Sequence, residues 1–447
     1  MSVTRLNDFQ QIMLYWNDVW PFQVVDVVET CAAIDPAELR AAAAAELGRM
    51  HAVGPMLDAG RASCTFRGGP ANVEVRVVDA NAGISHDDRL QRQVVEELAR
   101  PFTLQHDELI RLWIIPPAAG TSGATTIGMT WQHWFADGLT AADLLRRILR
   151  RVLAPTSAEG PSLTNVASPE KSPFEDCSFA LYCQAAVDIL RVMTTSLTVD
   201  SDAPEFVGTL AADPLLVTQP PGCLARLRLL SKAWGVTIND LVCTALMRAL
   251  QETSAAMPGD MALRTRVGNI VDLRPYGDAS LHDRAGQFLA LMLLDSSYSP
   301  FLSWRERATH VHARSQFLKE SQLFTSTLGA FRFGRRILAA MPKRLLPGAI
   351  ETSMRLSATI TNLRLPATWS EPEWTAKVSG YRRFLPPNLC SPVVLGLTTK
   401  GTELTMTFTI RRGATCERTL RPAFEAALMS LLAEAPAQGA VTLGART

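Results

Sequence analysis

An apolar run that ends in a histidine-bearing turn and is followed by an amphipathic helix is the feature that most constrains the fold. The run from Thr125 to Trp131 (TTIGMTW) has the apolar and β-branched composition typical of a buried strand. From Leu139 to Val152, apolar residues recur at helical spacing. A buried strand joined by a short turn to a helix is the unit of layered α/β structures. The sequence therefore predicts an α/β fold with His133 at a strand-to-helix turn.

Helix and strand patterns alternate along the rest of the chain. In the first half we predict helices at Pro36 to His51 and Asp87 to Arg100, and strands at Val73 to Val78 and Leu109 to Ile115. In the second half we predict helices at Leu224 to Trp234, Asp240 to Glu252, Trp304 to Gln322 and Arg418 to Ala433. Second-half strands are predicted at Arg264 to Val271, Ser357 to Thr361, Val393 to Thr399 and Glu403 to Ile410.

The chain is long enough for two domains. Its 447 residues exceed the size at which a single compact core stops growing. The segment from Leu153 to Pro173 is rich in Pro, Ser, Gly and Thr and has no periodicity, which is typical of a surface linker. We therefore predict one domain over residues 1–174, which carries the histidine turn, and a second over residues 175–447.

Composition excludes several classes of function. A formal net charge of +1 supplies no large basic field, so we expect no nucleic-acid partner. Apolar stretches such as Phe288 to Leu294 fall short of the ~20 residues of a membrane span, and the first residues do not resemble a signal peptide. Eight cysteines are scattered without a CxxC pair, which favours reduced thiols and no metal site. We expect a cytoplasmic protein.

His133 is the candidate catalytic residue. A neutral imidazole, with an ordinary pKa of about 6.5, can take a proton from an amine or hydroxyl as that group attacks a carbonyl carbon. Asp137 and Gly138 can fix the turn that presents it. The alternative is a buried histidine that only fills the core beside two aromatic residues.

The residues His133, Asp137 and Gly138 form an HxxxDG pattern that resembles the signature of a large acyltransferase superfamily. Its members include condensation domains of nonribosomal peptide synthetases, chloramphenicol-type acetyltransferases, plant BAHD acyltransferases and wax ester synthases. Further segments resemble this family in its own order: Arg100 to Arg111 (RPFTLQHDELIR), Gly235 to Val242 (GVTINDLV), Asn269 to Pro275 (NIVDLRP) and Thr359 to Leu363 (TITNL).

The resemblance implies a fold and a reaction. The fold is two chloramphenicol-acetyltransferase-like α/β domains in a V-shaped pseudo-dimer, with the histidine motif at a tunnel between them. The reaction is transfer of an acyl group from a phosphopantetheine thioester to an amine or alcohol, in secondary metabolism. The donor is carried by an acyl or peptidyl carrier protein or by coenzyme A, and no cofactor is bound.

The resemblance also implies roles for individual residues. His133 would be the general base, and Asp137 would pair with Arg274 from the other domain; the alternative is that Asp137 only caps the following helix. Gln132 stands where condensation domains usually carry another histidine, and its amide can form hydrogen bonds without changing charge. Thr361 and Asn362 would border the tunnel or an oxyanion site. Arg364 replaces a family glycine.

Two alternatives stay open at the level of function. The acceptor is either an amine or a hydroxyl, and the VDLRP run favours the ester-forming relatives slightly. The protein is either an enzyme or a catalytically silent relative that binds a carrier or partner protein.

A basic run late in the chain is a candidate docking site for the donor. It contains five cations and no acid between its ends, namely Arg332, Arg335, Arg336, Lys343 and Arg344. A phosphopantetheine carrier is anionic, so a basic rim at one tunnel mouth would favour its binding. The alternative is an ordinary solvated helix face.

Overall fold

The computed structural model describes residues 2–79, 84–102, 108–117, 124–154, 164–166, 212–254, 264–277, 281, 284–297, 301–414 and 418–436, with a few residues between 183 and 194. The first part of the chain contains, in order, β1 (Ser2–Arg5), α1 (Asp8–Val19), β2 (Gln23–Thr30), α2 (Pro36–Arg49), β3 (Pro55–Leu57), β4 (Ser63–Phe66), β5 (Glu74–Val77), α3 (His86–Ala99), β6 (Ile110–Ile115), β7 (Thr125–Gln132), α4 (Gly138–Leu153) and β8 (Thr164–Val166).

The second part continues the mixture of helices and strands. It contains β9 (Ala212–Leu216), α5 (Cys223–Trp234), α6 (Ile238–Ser254), β10 (Arg264–Asp272), β11 (Arg284–Ala285), β12 (Leu289–Ser297), α7 (Trp304–Glu320), α8 (Ser326–Ala340), α9 (Leu346–Ser353), β13 (Ala358–Arg364), α10 (Pro372–Thr375), β14 (Val378–Phe384), β15 (Val393–Lys400), β16 (Glu403–Arg411) and α11 (Leu420–Ala433).

A five-stranded sheet holds the histidine turn. Its strand order is β14-β2-β7-β6-β5, and β7 lies between two antiparallel neighbours. All eight residues of β7 are buried, as its apolar composition predicts. A Cβ atom on Gly128 would lie 2.0 Å from the ring of Trp113 on β6, so only glycine fits at this point of the strand. His133 therefore directly follows a buried, central strand of the sheet, which fixes its position.

A six-stranded sheet forms the centre of the second part. Its order is β12-β10-β13-β15-β16-β9, with parallel pairing of β10 to β13 and of β13 to β15. Apolar side chains of β15 and β16 pack beneath α6 and α11 in a core of their own. Phe408 and Phe424, for example, meet edge to face with their ring centroids 5.1 Å apart.

Strand β14 connects the two sheets. It follows β13 in the chain but pairs antiparallel with β2 of the five-stranded sheet, from Val378 opposite Thr30 to Phe384 opposite Val25. Residues of the predicted second domain thus complete the sheet of the first. The predicted boundary between 174 and 175 lies outside the described residues and stays a prediction.

The predicted α/β fold class is confirmed, and the strongest local patterns fold as expected. The strand predicted at Thr125 to Trp131 and the helix predicted at Leu139 to Val152 are β7 and α4, within one residue at each end. The predicted linker contains the short strand β8, which pairs in parallel with β11, while most of its other residues lie outside the described ranges. The V-shaped pseudo-dimer and the tunnel stay predictions.

The described residues include neither a helix that could span a membrane nor a cluster of metal-binding side chains. None of the helices there has the length and apolar character needed to cross a membrane. Within the same residues, no group of His, Cys, Asp and Glu side chains is arranged to hold a metal ion. The cysteines described are all free thiols, of which Cys64, Cys223, Cys243 and Cys390 are buried.

Candidate active site

The turn that carries His133 is fixed by its backbone. The His133 N–H donates to the carbonyl of Phe22 at 3.3 Å, and the Phe135 N–H donates to the carbonyl of Gln132 at 3.1 Å. At the far end, the Asp137 N–H donates to the carbonyl of Gly286 in the second part of the chain, at 2.9 Å. The turn is therefore held to both parts of the molecule before any side chain is considered.

The imidazole of His133 lies in an aromatic enclosure. Phe22 stacks on it with ring centroids 5.3 Å apart and an interplanar angle of 17°, and Trp131 meets it edge-on at 5.3 Å. The residue is only 8% exposed. Nδ1 lies 3.4 Å from the carbonyl oxygen of Ala136. Because that oxygen can only accept, Nδ1 carries the proton, which leaves the lone pair on Nε2 for a substrate.

Burial sets the charge of this imidazole. Removal from water lowers the pKa of His133 from its ordinary 6.5 to about 4, and the nearby positive charge of Arg383 acts in the same direction. The hydrogen bond to Ala136 and the charge of Asp137 oppose this shift without reversing it. His133 is consequently neutral at physiological pH, which is the form that can accept a proton.

Asp137 performs both of the roles weighed from the sequence. Its Oδ1 accepts from the backbone N–H of Thr140 at 2.9 Å, which caps α4. Its Oδ2 lies 2.6 Å from Nη1 of Arg274 and accepts from the N–H of Phe288 at 3.2 Å. With Asp137 only 1% exposed, the carboxylate is a buried link between the two parts of the chain.

Arg274 is equally buried and reaches Asp137 from the second part. Its Nη2 donates to Oγ1 of Thr140 at 3.2 Å, and its guanidinium lies 4.6 Å from the ring centroid of Phe288. Burial alone would lower the pKa of Arg274, but Asp137 and Asp272 outweigh it and raise the pKa above its ordinary value. The predicted pairing of Asp137 with Arg274 is therefore present.

Gly138 and Arg383 lock the start of α4. A Cβ atom on Gly138 would lie 2.2 Å from Nη1 of Arg383, so the glycine is required by close approach of a side chain. Nη2 of Arg383 also donates to the Gly138 carbonyl at 3.0 Å. The close approach of Arg383 is therefore the reason that glycine occupies this position.

Arg383 on β14 is a buried site residue that the sequence did not identify. It forms a two-pronged ion pair with Asp26 on β2, at 2.6 and 2.8 Å. Asp26 also accepts from Nε1 of Trp131 at 3.0 Å, and the Trp131 ring contacts His133. Arg383 therefore contacts the start of α4 directly and is linked to the ring of Trp131 through Asp26.

Gln132 uses both ends of its amide inside the protein. Its Nε2 donates to the carbonyl of Glu108 at 2.5 Å, and its Oε1 accepts from Nε1 of Trp134 at 2.5 Å. Such an uncharged side chain fixes the turn in one arrangement at any pH. Gln132 is thus a structural neighbour of His133, in line with its assignment.

Thr361 and Asn362 lie on β13, whose end passes close to the histidine motif. A Cβ atom on Gly138 would lie 3.6 Å from Cδ1 of Leu363, the next residue of that strand. Thr361 is partly buried and Asn362 is exposed. Arg364 continues the strand opposite Thr399 instead of opening a loop. The tunnel and oxyanion roles of Thr361 and Asn362 stay predictions.

The basic run does not act as one surface. Arg332 and Arg335 on α8 both pair with Asp8 at the start of α1, at 2.8 and 3.2 Å. Arg336, Lys343 and Arg344 are exposed. Arg332 and Arg335 therefore tie α8 to α1, and the donor-docking role of the five cations stays a prediction.

Comparison with known proteins supports the fold. A scan against models of protein families finds no match, and neither does a search of curated proteins. Solved structures are similar over nearly the whole chain. The condensation domain of the Monacolin K polyketide synthase shares 12% identity at a TM-score of 0.65, with 97% of this chain and 98% of that chain covered.

Two further structures show the same likeness. The first condensation domain of the calcium-dependent antibiotic synthetase, in complex with a substrate analogue, has 13% identity and a TM-score of 0.69, with 97% of each chain covered. The SgcC5 protein from Streptomyces globisporus has 14% identity and a TM-score of 0.62, with 96% of this chain and 98% of that chain covered. This chain therefore has the fold of condensation domains.

Proposed function

We propose that this protein transfers an acyl group from a phosphopantetheine thioester to a hydroxyl or amine acceptor, in cytoplasmic secondary metabolism, with His133 as general base. The observation that carries the proposal is the His133 turn itself. It presents a neutral imidazole whose Nδ1 faces the carbonyl oxygen of Ala136, and it is fixed by the buried Asp137–Arg274 pair.

In the proposed reaction His133 transfers a proton, and the protein holds the two substrates together. Nε2 of His133 accepts the proton of the acceptor as its oxygen or nitrogen attacks the thioester carbonyl, and the imidazolium then gives that proton to the pantetheine thiolate as the carbon–sulfur bond breaks. A base with a pKa of about 4 gives little driving force for proton removal on its own. Much of the acceleration is therefore expected from holding donor and acceptor in contact.

A hydroxyl acceptor is favoured over an amine. The structure of the SgcC5 protein is a complex with a naphthyl-substituted ethanediol and sucrose, which are both hydroxyl compounds. The VDLRP run within β10 and the residues that follow it resembles ester-forming relatives more than peptide-forming ones. An ester product is thus the first to look for.

The test is a mass-spectrometric screen of acyl-coenzyme A and acyl-carrier donors against alcohols and amines. We expect at least one acylated product, and His133→Ala should lower its rate by roughly 10²–10⁴-fold because it removes the general base. The matched control is His310→Ala, which changes an exposed histidine on α7 and should keep the full rate.

A second candidate function follows from the same enclosure. An imidazole that is 8% exposed and has a pKa of about 4 is also suited to a silent relative that binds a carrier or partner protein. Carrier binding without a product from any donor, together with an unchanged partner affinity in His133→Ala, would favour this function and contradict the enzyme.

A further inference from the structure

A cavity of about 200 Å³ lies between α1, β12, α8 and α9. Its described wall is mainly apolar and includes Ile12, Trp16, Leu291, Phe331, Leu338 and Ile350. Phe333 and Ile337, which also line it, are 57% and 44% exposed, so the cavity reaches the surface on that side of α8. An apolar recess that opens at the surface is the usual form of a site for a small molecule.

Three arginines and one carboxylate also line the cavity, and one of the arginines is paired with the carboxylate. Arg266 on β10 and Asp295 on β12 form a two-pronged ion pair at 2.7 and 3.1 Å. Arg314 on α7 lies with its guanidinium 5.5 Å from the ring centroid of Phe317. A hydrocarbon group is therefore the ligand that this wall accommodates best, because burial of apolar surface is its main source of binding free energy.

The cavity shares a wall with the enclosure of His133. Trp16 lines the cavity, and its ring meets Phe22 edge-on with centroids 5.2 Å apart. Phe22 in turn stacks on the His133 imidazole at 5.3 Å. Two aromatic rings, those of Trp16 and Phe22, therefore lie between the cavity and the proposed base.

We propose that this cavity binds the hydrocarbon part of a substrate, a linear chain or ring of about six to eight carbons. The size follows from volume, since a cavity of about 150 Å³ holds a benzene molecule. The proposal rests on the proposed function, because it assumes that the same substrate reaches His133. The hydrocarbon belongs either to the acyl chain of the donor or to the acceptor alcohol.

The experiment measures binding without turnover. Alkanoyl-pantetheine thioesters and, separately, straight-chain alcohols of increasing length are titrated calorimetrically into the full-length His133→Ala protein. We expect the affinity of one series to rise about fourfold per methylene and to stop rising near six to eight carbons. The series that shows this slope identifies the source of the hydrocarbon.

Variants on α8 test the location. Ala330→Trp, in the His133→Ala background, fills the cavity and should abolish the dependence on chain length. The matched control is Ala339→Trp, which adds the same side chain at an exposed position of the same helix and should keep the dependence. If Ala330→Trp fails to fold, Gly334→Leu replaces it, since a Cβ there meets only Ile12 at 3.9 Å.

The outcomes separate this proposal from the proposed function. A flat affinity in both series, or equal behaviour of the cavity-filling variant and the Ala339→Trp control, overturns the cavity as the binding site. A chain-length dependence that disappears only in the cavity-filling variant supports it, even if the parent protein forms no product in the screen. In that case the proposed acyl transfer is contradicted, and the proposed binding site is supported.

Discussion

Burial keeps His133 neutral, and this makes the free energy of unfolding depend on pH. The folded-state pKa of about 4 lies below the ordinary 6.5, so the unfolded chain takes up a proton first as the pH falls. The contribution of neutral His133 is therefore fully present above pH 6.5 and is lost as the pH falls from 6.5 to about 4. The same enclosure that keeps the base neutral makes the fold acid-sensitive.

This linkage predicts a difference between the parent and His133→Asn. Between about pH 7 and about pH 5 the parent should lose roughly 2 kcal/mol more unfolding free energy than the variant, because asparagine does not titrate. Urea unfolding of both proteins at the two pH values measures it. Parallel losses in parent and variant would mean that His133 is protonated in the folded state and that the enclosure is more open to water.

The junction between β14 and α4 allows a second prediction. Gly138→Ala places a Cβ against Arg383, whose guanidinium cannot yield easily because Asp26 holds it in a buried pair. We expect a loss of about 1–3 kcal/mol in unfolding free energy, with lower turnover since the His133 turn moves.

The matched control is Gly329→Ala on α8, where a Cβ meets no atom within 4 Å. Alanine there should leave the unfolding free energy unchanged or raise it slightly, because it favours the helix. Thermal unfolding and activity are measured for both variants. Equal stability of the two would show that Arg383 does not confine Gly138.

Local sequence pattern predicted the elements that carry the motif but not the strand that supports it. The strand β7 and the helix α4 repeat their apolar residues at clear periods, so both were expected within one residue of their ends. Strand β14 (VSGYRRF) contains two arginines and was not predicted. Burial of Arg383 depends on Asp26, which is distant in sequence, and no local pattern carries that information.

The contacts of the candidate site also include some that the sequence could predict and some that it could not. His133, Asp137, Gly138 and Arg274 were placed by resemblance to known motifs, and the predicted contact of Asp137 with Arg274 is present. The ion pairs of Arg332 and Arg335 with Asp8 could not be predicted, because the acid lies on a helix at the other end of the chain. Charge counted along a sequence does not show which charges are already paired.

The Asp137–Arg274 pair joins the two parts of the molecule and yields a third prediction. Asp137→Ala leaves Arg274 buried without its main partner and removes the cap of α4, so we expect a loss of about 3–5 kcal/mol. The double variant Asp137→Ala with Arg274→Met should lose less than the sum of the single variants, because it removes both charges. Additive losses in urea unfolding would show that the two side chains do not stabilise each other.

The last prediction concerns the exposed cations of the basic run, Arg336, Lys343 and Arg344, and their association with a charged donor. If a donor phosphate binds near Arg336 and Arg344, reversing both to Glu should lower kcat/KM for acyl-coenzyme A and spare kcat at saturation. The loss should shrink with added salt, which screens exposed charges over about 10 Å at 0.1 M.

The control reverses Arg226 and Lys232, two exposed cations on α5, and makes the same change in net charge. A pantetheine-only donor lacks the nucleotide phosphates and should respond weakly to either change. An equal loss in both double variants, or for both donors, would assign Arg336 and Arg344 to an ordinary solvated surface.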